Sequence, residues 1–592
     1  MTTDQTLLFL LLGAVLVLLV HGRIRYDVVA FLALLVAVAL GLVPTGAAFS
    51  GFGHPATVVV AMVLIVSRGL ANSGAVDLIA RRVTAVARGF TGHIAVMAGL
   101  SALLSAIMNN VGALALLMPV DLQAARRAKR PPGLTLMPLS FASILGGLVT
   151  LIGTPPNIIV AAFRDDALGA PFAMFDFTPV GAACAVAGVA FIVLGGWRLI
   201  PVPADTTAGA TLDLEDYIAE ARVPEGAPVI GRKVRALDPE AAEYEVNILG
   251  LVRRGQRLPG MARHAVIRSG DLLVISGGPE DIAGLTQGLG LRHAAVQEAK
   301  TGLLATDDVA VMEVVVPAGA RVDGRSAMAV RLKHRFGVHL LGVSRQGRPF
   351  RERLRHLEIR AGDVLLLQGN ANELPDIATR VLGCLPLEGR EVPPDTPRRA
   401  GLAAGVFALA IVAAVTGLLY LPVALAFAAA GLVLLGIVPL REIYEQVEWP
   451  VIVLLGSMIP IGAALEATGG TVLIAGAILT VGGDWSPALV LLLLMVVTMT
   501  LSDVMNNTAT AVIAAPVALD LARGLEVNPD PFLMAVAVAA SCAFLTPIGH
   551  KNNTLIMGPG GYRFGDYWRM GLPLEVIVIA VAIPAILVVW PF

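Results

Sequence analysis

Hydrophobic residues dominate the two ends of the chain, and polar residues dominate its middle. Residues 1–200 and 400–592 contain several apolar runs, such as residues 7–20, whose lengths suit or nearly suit a transmembrane helix. Residues 201–399 alternate short apolar runs with Gly-rich and charged turns, which is typical of strands. The pattern therefore predicts a polytopic membrane protein, all-α in its membrane parts, with an inserted α+β region.

Two polar motifs lie inside the apolar parts, where polar groups are costly unless they are paired. SAIMNNVGA occupies residues 105–113, and SDVMNNTAT occupies residues 502–510. The two MNN triplets are offset by 397 residues, and the later motifs GTPPN (153–157) and GHKNN (549–553) are offset by 396. Several colinear matches at a nearly constant offset indicate an internal duplication.

Basic residues flank the first MNN motif on both sides, namely Arg81, Arg82 and Arg88 before it and Arg126, Arg127, Lys129 and Arg130 after it. Because loops rich in Lys and Arg stay in the cytoplasm, we predict a re-entrant hairpin over residues 92–126 that enters and leaves on that side. The alternative is an ordinary span whose Asn pair binds a neighbouring helix.

Each repeat then has five transmembrane spans and one hairpin. Five is odd, so the second repeat (400–592) is inverted relative to the first (1–200), and its hairpin (486–525) opens to the outside. Acidic residues flank that second hairpin, namely Asp484, Glu526 and Asp530, and only the basic Arg523 disagrees. We expect a multi-pass protein of the cell (inner) membrane with both termini outside and the 201–399 insert in the cytoplasm.

Glycine and proline interrupt the apolar segments that follow both hairpins, at GTPPN and at TPIGHKNN. Inverted repeats with matched broken helices are typical of secondary transporters, whose substrate and ions bind where the repeats meet. Helix N-termini and amide NH₂ groups favour an anion, whereas amide and carbonyl oxygens favour a small cation such as Na⁺. The two Asn pairs are therefore predicted to be the two halves of one ion and anion site.

Composition narrows the function further. The net charge of −1 argues against nucleic acid as a partner. The three cysteines are far apart and form no metal or redox motif. The chain also lacks a nucleophile elbow, a metal-ligand cluster and a phosphate-binding glycine loop, so we predict that it is not an enzyme.

The tip and loop motifs resemble those of the divalent anion:sodium symporters (DASS), permeases of the ion transporter superfamily. Members of that family carry a Ser-Asn-Thr motif at each hairpin tip and GTPPN-like loops in the broken helices. Here the tips read NNV at 109–111 and NNT at 506–508, and HK replaces TP in the second loop. These departures affect the choice of substrate more than the fold.

The resemblance implies two sodium sites, each built from a hairpin tip, a serine one turn before it and the backbone of the broken helix. The matching residues are Ser105, Asn110 and Gly153 in the first repeat and Ser502, Asn507 and Gly549 in the second. The implied anion contacts come from both tips and both loops, namely Asn109, Asn110, Thr154, Asn157, Asn506, Asn507, Thr508, His550, Lys551 and Asn553.

Lys551 carries a charge that the first repeat lacks, because its counterpart there is Pro155. A lysine in a transmembrane segment is costly without a negative neighbour. We expect that neighbour to be the bound anion or Asp503, which is therefore a candidate for charge coupling. The alternatives are that Lys551 reaches toward the cytoplasmic side or pairs with Asp503 without touching the anion.

The insert is itself duplicated: IRSGDLLVISG (267–277) matches IRAGDVLLLQG (359–369) at an offset of 92. The pattern resembles the TrkA carboxy-terminal (RCK-type) domain, which implies one domain over 213–295 and another over 306–385. In that family the module often dimerises and can bind a small ligand such as a nucleotide, so a homodimer is expected. The alternative is a rigid spacer without a ligand.

The predicted function is secondary active transport by alternating access, in which a small divalent anion, sulfate or a dicarboxylate, moves with Na⁺ and the TrkA-C domains regulate it. The sequence leaves H⁺ open as the coupling ion. Two other readings remain: a ligand-gated anion channel, and a membrane sensor that binds an anion without transporting it.

Overall fold

The computed structural model describes residues 1–21, 24–74, 89–128, 130–201, 218–244, 246–253, 256–257, 264–276, 279–293, 309–346, 348–350, 357–387, 396–470, 472–473, 476 and 485–592. Several residues used above to orient the chain lie outside this part, namely Arg81, Arg82, Arg88, Lys129 and Asp484. The predicted domain borders at 213, 295 and 306 also lie outside it.

The first apolar part is helical. Its helices are α1 (Thr3–His21), α2 (Tyr26–Ala39), α3 (Pro55–Asn72), α4 (Gly89–Ile107), α5 (Asn110–Arg127), α6 (Gly133–Gly147), α7 (Pro155–Leu168) and α8 (Thr178–Leu194). Helices α4 and α5 turn at residues 108–109. Helix α7 starts at Pro155, because proline fixes a helical φ and its missing N–H is not needed in the first turn.

The insert contains two five-stranded antiparallel sheets. The first, in the order β3-β2-β4-β1-β5, consists of β1 (Ile218–Arg222), β2 (Asn247–Arg253), β3 (Gln256–Arg257), β4 (Leu272–Ser276) and β5 (Arg292–His293). The second, in the order β12-β6-β11-β8-β9, consists of β6 (Val309–Val315), β8 (His339–Arg345), β9 (Arg348–Phe350), β11 (Val364–Asn370) and β12 (Leu385–Pro386). A separate pair is β7 (Arg325–Ser326) with β10 (Glu358–Ile359).

Short helices accompany these sheets: α9 (Asp238–Glu243), α10 (Pro279–Gly288), α11 (Ala327–Val330), α12 (Leu332–Phe336) and α13 (Leu374–Asp376). The same ion pair stabilises both sheets. Arg253 binds Asp271 in the first, and Arg345 binds Asp363 in the second, with closest distances of 2.7 Å. Each Asp side chain is buried, and the Arg donates to both of its oxygens. This charge-assisted pair is the main polar contact that the two sheet domains share.

The second apolar part is again helical. Its helices are α14 (Thr396–Val415), α15 (Leu421–Leu434), α16 (Leu440–Gln446), α17 (Trp449–Ala467), α18 (Pro487–Val504), α19 (Asn507–Gly524), α20 (Asp530–Ser541), α21 (Lys551–Gly560) and α22 (Tyr567–Val589). Helices α18 and α19 turn at residues 505–506, as α4 and α5 do at 108–109. The segment between α20 and α21 corresponds to the one between α6 and α7.

The two apolar parts interlock. Helix α21 packs on α6, while α19 and α20 pack on α7, so the broken segment of each part lies against helices of the other. Leu139 and Phe141 of α6 and Phe544 near the second break are fully buried in the shared core. The broken segments and both helical turns are therefore held in one packed unit.

Within the described residues, six helices are long and apolar enough to cross a membrane, and several shorter apolar helices accompany them. The chain is thus a mostly helical polytopic membrane protein. The number of crossings, the inversion of the repeats and the re-entrant character of the two hairpins stay predictions.

Candidate ion and anion site

The first helical turn is built from Asn109 and Asn110. Asn109 caps α5, because its side-chain oxygen accepts a hydrogen bond from Val111 N–H at 3.0 Å. Asn110 is 2% exposed, and its Oδ1 accepts from Ser105 Oγ at 2.5 Å. Its carbonyl oxygen accepts from Ser143 Oγ at 2.9 Å. The structure thus brings together Ser105 and Asn110, two members of the predicted first sodium site.

The second turn has the same cap but different neighbours. The side-chain oxygen of Asn506 accepts from Thr508 N–H at 2.9 Å. Asn507 Oδ1 accepts from the same N–H at 2.8 Å and lies 3.3 Å from Thr508 Oγ1. Ser502 Oγ donates to the carbonyl oxygen of Ala540 at 2.5 Å instead of contacting Asn507. The serine and the tip amide are therefore joined in the first half only.

Asn157 and Asn553 hold the two broken segments in shape. The amide of Asn157 donates to the carbonyl oxygens of Thr150 at 2.9 Å and Gly147 at 3.4 Å. The amide of Asn553 donates to those of Ala543 at 3.0 Å and Thr546 at 3.1 Å, which are the same positions after the 396-residue offset. Both residues were predicted to bind the anion, and this stays a prediction. In the structure their NH₂ groups satisfy unwound backbone carbonyls.

Both breaks are tied to the preceding turn by matched contacts. Thr150 Oγ1 donates to the carbonyl oxygen of Ala106, and Thr546 Oγ1 donates to that of Asp503, each at 2.5 Å. A Cβ on Gly549 would lie 2.5 Å from the carbonyl oxygen of Ser502, and one on Gly153 would collide with the backbone of Gly147. Glycine is required at both places because another backbone passes too close for a side chain.

The two halves meet where Asn110 faces the start of α21. Asn110 Nδ2 lies 3.2 Å from His550 Nε2, and Asn552 Nδ2 donates to the Asn110 carbonyl oxygen at 3.3 Å. His550 Nδ1 accepts from Asn552 N–H at 3.1 Å, so a neutral ring carries its proton on Nε2. The N–H groups of Asn110 Nδ2 and His550 Nε2 then face each other. Either a rotation of the Asn110 amide or a ligand oxygen that accepts from both groups would satisfy them.

Two polar atoms near this meeting point are buried without a hydrogen-bond partner among the described residues: Thr154 Oγ1 and Asn552 Oδ1. Thr154 is 1% exposed and precedes α7, just as His550 precedes α21. Buried groups of this kind are rare, since each costs about 1–3 kcal/mol when it is left unpaired. They are therefore the groups most available to a ligand.

Lys551 does not contact Asp503, so that expected partner is wrong. Its ammonium pairs with the carboxylate of Glu448, the residue that precedes α17. Both side chains are about one-third exposed, at 32% and 29%. Glu448 lies 103 residues earlier in the chain. The partner of Lys551 is therefore a distant residue at the start of α17, which the repeat pattern does not predict.

Asp503 instead has a neighbour in the last helix. Asp503 and Glu575 lie close to each other, and neither residue is more than 6% exposed. Two neighbouring backbone N–H groups bind them: Leu545 N–H donates to Asp503 at 2.9 Å, and Phe544 N–H donates to Glu575 at 3.4 Å. The other Asp503 oxygen, Oδ2, is buried without a hydrogen-bond partner among the described residues. Asp503 therefore adjoins the second candidate sodium site as part of a carboxyl pair.

Several contributors were missed from the sequence. Asn552 lies between two predicted residues, and Thr546 matches Thr150 at the same 396-residue offset, so both could have been found. Glu575 could have been found as the single acidic residue within the last apolar run. Ser143 and Ser140 carry no such signal, because their counterparts in the second half are apolar.

Comparison with known proteins gives the family. Residues 16–494 match the family model described as a citrate transporter. The chain belongs to the citrate transporter family. Residues 403–592 of this family member also match the model for the transmembrane region of sodium:sulfate symporters. Both models describe ion-transporting permeases, which agrees with the resemblance to a DASS-like permease.

Two relatives align with nearly all of this citrate transporter family member, and a third aligns with about half of it. The uncharacterized transporter sll0640 of Synechocystis sp. is 30% identical over 578 residues, which is 95% of this chain and 93% of the relative. The uncharacterized transporter YfbS of Escherichia coli is 29% identical over 617 residues, with 98% of each chain covered. The probable sodium/sulfate cotransporter 3 of Chlamydomonas reinhardtii is 26% identical over 351 residues, which is 55% of this chain and 38% of that protein.

Proposed function

We propose that the protein is a sodium-coupled symporter of a small divalent anion, with sulfate as the first candidate and dicarboxylates as the second. The observation that carries this proposal is the buried contact between Asn110 and His550, where groups from both halves converge on one point. Two N–H donors facing each other, with the hydroxyl of Thr154 unpartnered nearby, suit an oxyanion, whereas the unpartnered Asn552 Oδ1 is an acceptor and suits a cation.

Two observations support Na⁺ as the coupling ion: a group of oxygen atoms at the first turn, and the match to a family model of sodium symporters. Ser105 Oγ and Asn110 Oδ1 lie together at the first turn, and neutral oxygens of this kind suit an alkali cation. The family model for sodium:sulfate symporters covers the second half, including the Asn506–Asn507 turn. Sulfate and dicarboxylates share two negative charges and several acceptor oxygens, so the same donors can recognise either.

Uptake into proteoliposomes tests the proposal. Purified protein should accumulate radiolabelled sulfate, or succinate as the dicarboxylate, in a saturable manner when an inward Na⁺ gradient is imposed, and K⁺ should not replace Na⁺. Preloaded unlabelled anion should accelerate uptake by counterflow. Absence of uptake for sulfate, succinate and citrate would refute transport and favour a sensor. Uptake without coupling or counterflow would favour a channel.

The orientation and the insert are part of the same proposal. The termini lie outside and the 201–399 insert lies in the cytoplasm, where its two sheet domains act as TrkA-C-type regulators of a homodimer. An impermeant reagent added to whole cells should label a cysteine at Thr3 and should fail to label one at Glu225, which is exposed on the insert. A monomeric purified protein at micromolar concentration would contradict the dimer.

A ligand of the insert, such as a nucleotide, is tested separately from transport. A ligand that binds only the native state raises the melting temperature. ATP, ADP or NAD⁺ should therefore shift the melting of the whole protein if one of them is the regulator. The absence of any shift at millimolar nucleotide would favour the spacer alternative for the insert.

A further inference from the structure

A cavity of about 1190 Å³ lies between part of the second sheet domain of the insert and the membrane helices. Its membrane side includes Asn109 at the first turn and Arg127 at the end of α5. Its insert side includes Arg321 and Arg380. We call this space the insert-side cavity. It connects the insert with the tip of the first hairpin, so an ion that occupied it would lie beside the candidate site.

The charge lining this cavity is mainly positive. Among the residues that the structure describes, four arginines and two glutamates line it, namely Arg68, Arg127, Arg321, Arg380, Glu442 and Glu448. Arg68 and Arg380 both pair with Glu442, and Glu448 pairs with Lys551. Within the part of the chain that the structure describes, Arg127 and Arg321 form no ion pair. Two guanidinium groups, one from each side of the cavity, are thus left to attract anions.

The second sheet domain is fixed over the cavity by direct contacts. Arg126 in the last turn of α5 pairs with Glu313 of β6 at 2.5 Å. Val315, Val364 and Leu387 of this domain belong to the same hydrophobic core as the membrane helices. Because apolar contacts and an ion pair anchor the domain, the loop that carries Arg321 has a defined position at the cavity.

The duplicated insert provides an internal comparison for this loop. The loops after β1 and β6 have the same backbone contacts: Val223 N–H donates to the Asp271 carbonyl and Val316 N–H to the Asp363 carbonyl, each at 2.9 Å. At the position of Arg321 the first domain has Pro228. At the position of Arg380 it has Gln287. Both arginines are therefore confined to the copy that lines the cavity.

We propose that Arg127 and Arg321 form a second anion site in the insert-side cavity, through which the transported oxyanion passes between the solution and Asn109. The proposal rests on the proposed anion transport and assigns the insert a part in the permeation route. Guanidinium groups bind oxyanions through several N–H donors, and positively charged clefts raise the local concentration of anions. The site is exposed to water, so it attracts the anion without trapping it.

The first experiment measures the electrostatic potential of the cavity without transport. A cysteine is introduced at Ala318, which lines the cavity next to Arg321, and at Glu225, its counterpart in the first domain. The three native cysteines are buried and should react slowly. The ratio of reaction rates for an anionic and a neutral methanethiosulfonate reagent should fall by about threefold or more at position 318 in the R127Q/R321Q variant. It should stay constant at position 225.

A matched control removes the same charge elsewhere. Arg268 and Arg360 are exposed, occupy equivalent turns of the two domains and do not line the cavity. The R268Q/R360Q variant should leave the rate ratio at position 318 unchanged. Equal effects of the two double variants, or no effect of R127Q/R321Q, would overturn the proposed site.

The second experiment measures sulfate transport in proteoliposomes of one orientation, with sulfate varied on one face at a time. In R127Q/R321Q the KM on the insert side should rise by about threefold to tenfold with kcat from that side unchanged. The KM on the opposite face should stay constant, and the equal loss of kcat/KM that reversibility requires should appear there in kcat. A KM that rises equally on both faces, or on neither, would overturn the site. A wild-type protein that transports none of sulfate, succinate and citrate would refute the proposed function itself, and the cysteine rates would show separately whether the cavity is electropositive.

Discussion

The two halves of the site share their backbone contacts and differ in their side-chain contacts. Asn157 and Asn553 bind matching pairs of carbonyl oxygens, and Thr150 and Thr546 bind matching carbonyls of the preceding turns. These four side chains satisfy backbone groups that the broken helices expose. Any chain with such a break must satisfy those groups, so the duplication retains them in both halves.

The tips themselves have diverged. Asn110 is buried against Ser105, Ser143 and His550, whereas the described contacts of Asn507 are with its neighbour Thr508. The difference indicates that the first half contributes a pre-formed polar cluster and that the second contributes an amide with fewer constraints. We infer that the halves have different roles, although their folds correspond.

The largest expected effect is loss of transport in Asn110→Ala and in Asn507→Ala, because each removes an amide that offers both an oxygen and N–H donors. The comparison predicts that only Asn110→Ala also destabilises the fold, by about 1–3 kcal/mol, since the Ser105 hydroxyl loses its acceptor and His550 Nε2 loses its neighbour. Sulfate uptake and thermal unfolding in detergent measure the two effects. Wild-type uptake by either variant, at normal expression, would show that its tip is only structural.

The next largest effect is expected on stability, at Asn157 and Asn553, which bind the backbone of the two broken segments. Asn553→Ala should lower the free energy of unfolding by about 3 kcal/mol, because two carbonyls and the hydroxyl of Ser140 lose a partner. Asn157→Ala should cost about 1–2 kcal/mol, since one of its two bonds is long at 3.4 Å. Ser140→Ala measures separately the contribution of the hydrogen bond from Ser140 to Asn553. Equal melting temperatures for the two Asn variants would contradict this asymmetry.

The sequence predicts features that recur locally and misses those that depend on distant packing. The apolar parts, the two MNN turns and the Gly-Pro interruptions follow from patterns within short segments. The backbone partners of Asn157 and Asn553 were not predicted, because a sequence shows that an amide lies in a loop but not which carbonyls face it. The neighbours of Lys551 and Asp503 were missed because Glu448, just before α17, and Glu575, on α22, lie outside the repeated motifs.

The ion pair between Lys551 and Glu448 is the third point of comparison, because the first half has Pro155 at the equivalent position. Lys551→Gln leaves Glu448 as a half-buried charge without its partner, and Glu448→Gln leaves the Lys551 ammonium without its partner. The double variant should be more stable than the sum of the single effects predicts, by about 0.5–3 kcal/mol. A double-mutant cycle on thermal unfolding checks this. Additive effects would show that the two charges act independently.

The smallest effect should come from Ser143→Ala, which gives the first half the residue that the second half has at Ala539. Ser143 donates to the carbonyl oxygen of Asn110 and lies 3.3 Å from Ser105 Oγ. The Asn110 carbonyl keeps its bond from Asn552, so the loss should be about 1 kcal/mol in stability.

The Ser143→Ala variant also tests whether the polar cluster around Asn110 binds Na⁺. Without Ser143, Ser105 keeps its contact with Asn110 but loses the hydroxyl that orients it, so the apparent affinity for Na⁺ should fall by about threefold, with little change in maximal sulfate uptake. Ser140→Ala is the matched control, because it removes a buried hydroxyl of the same helix that contacts Asn553 and not the first tip. If both variants lower the sodium affinity equally, the cluster around Asn110 is not a sodium site, and the asymmetry between the halves concerns folding alone.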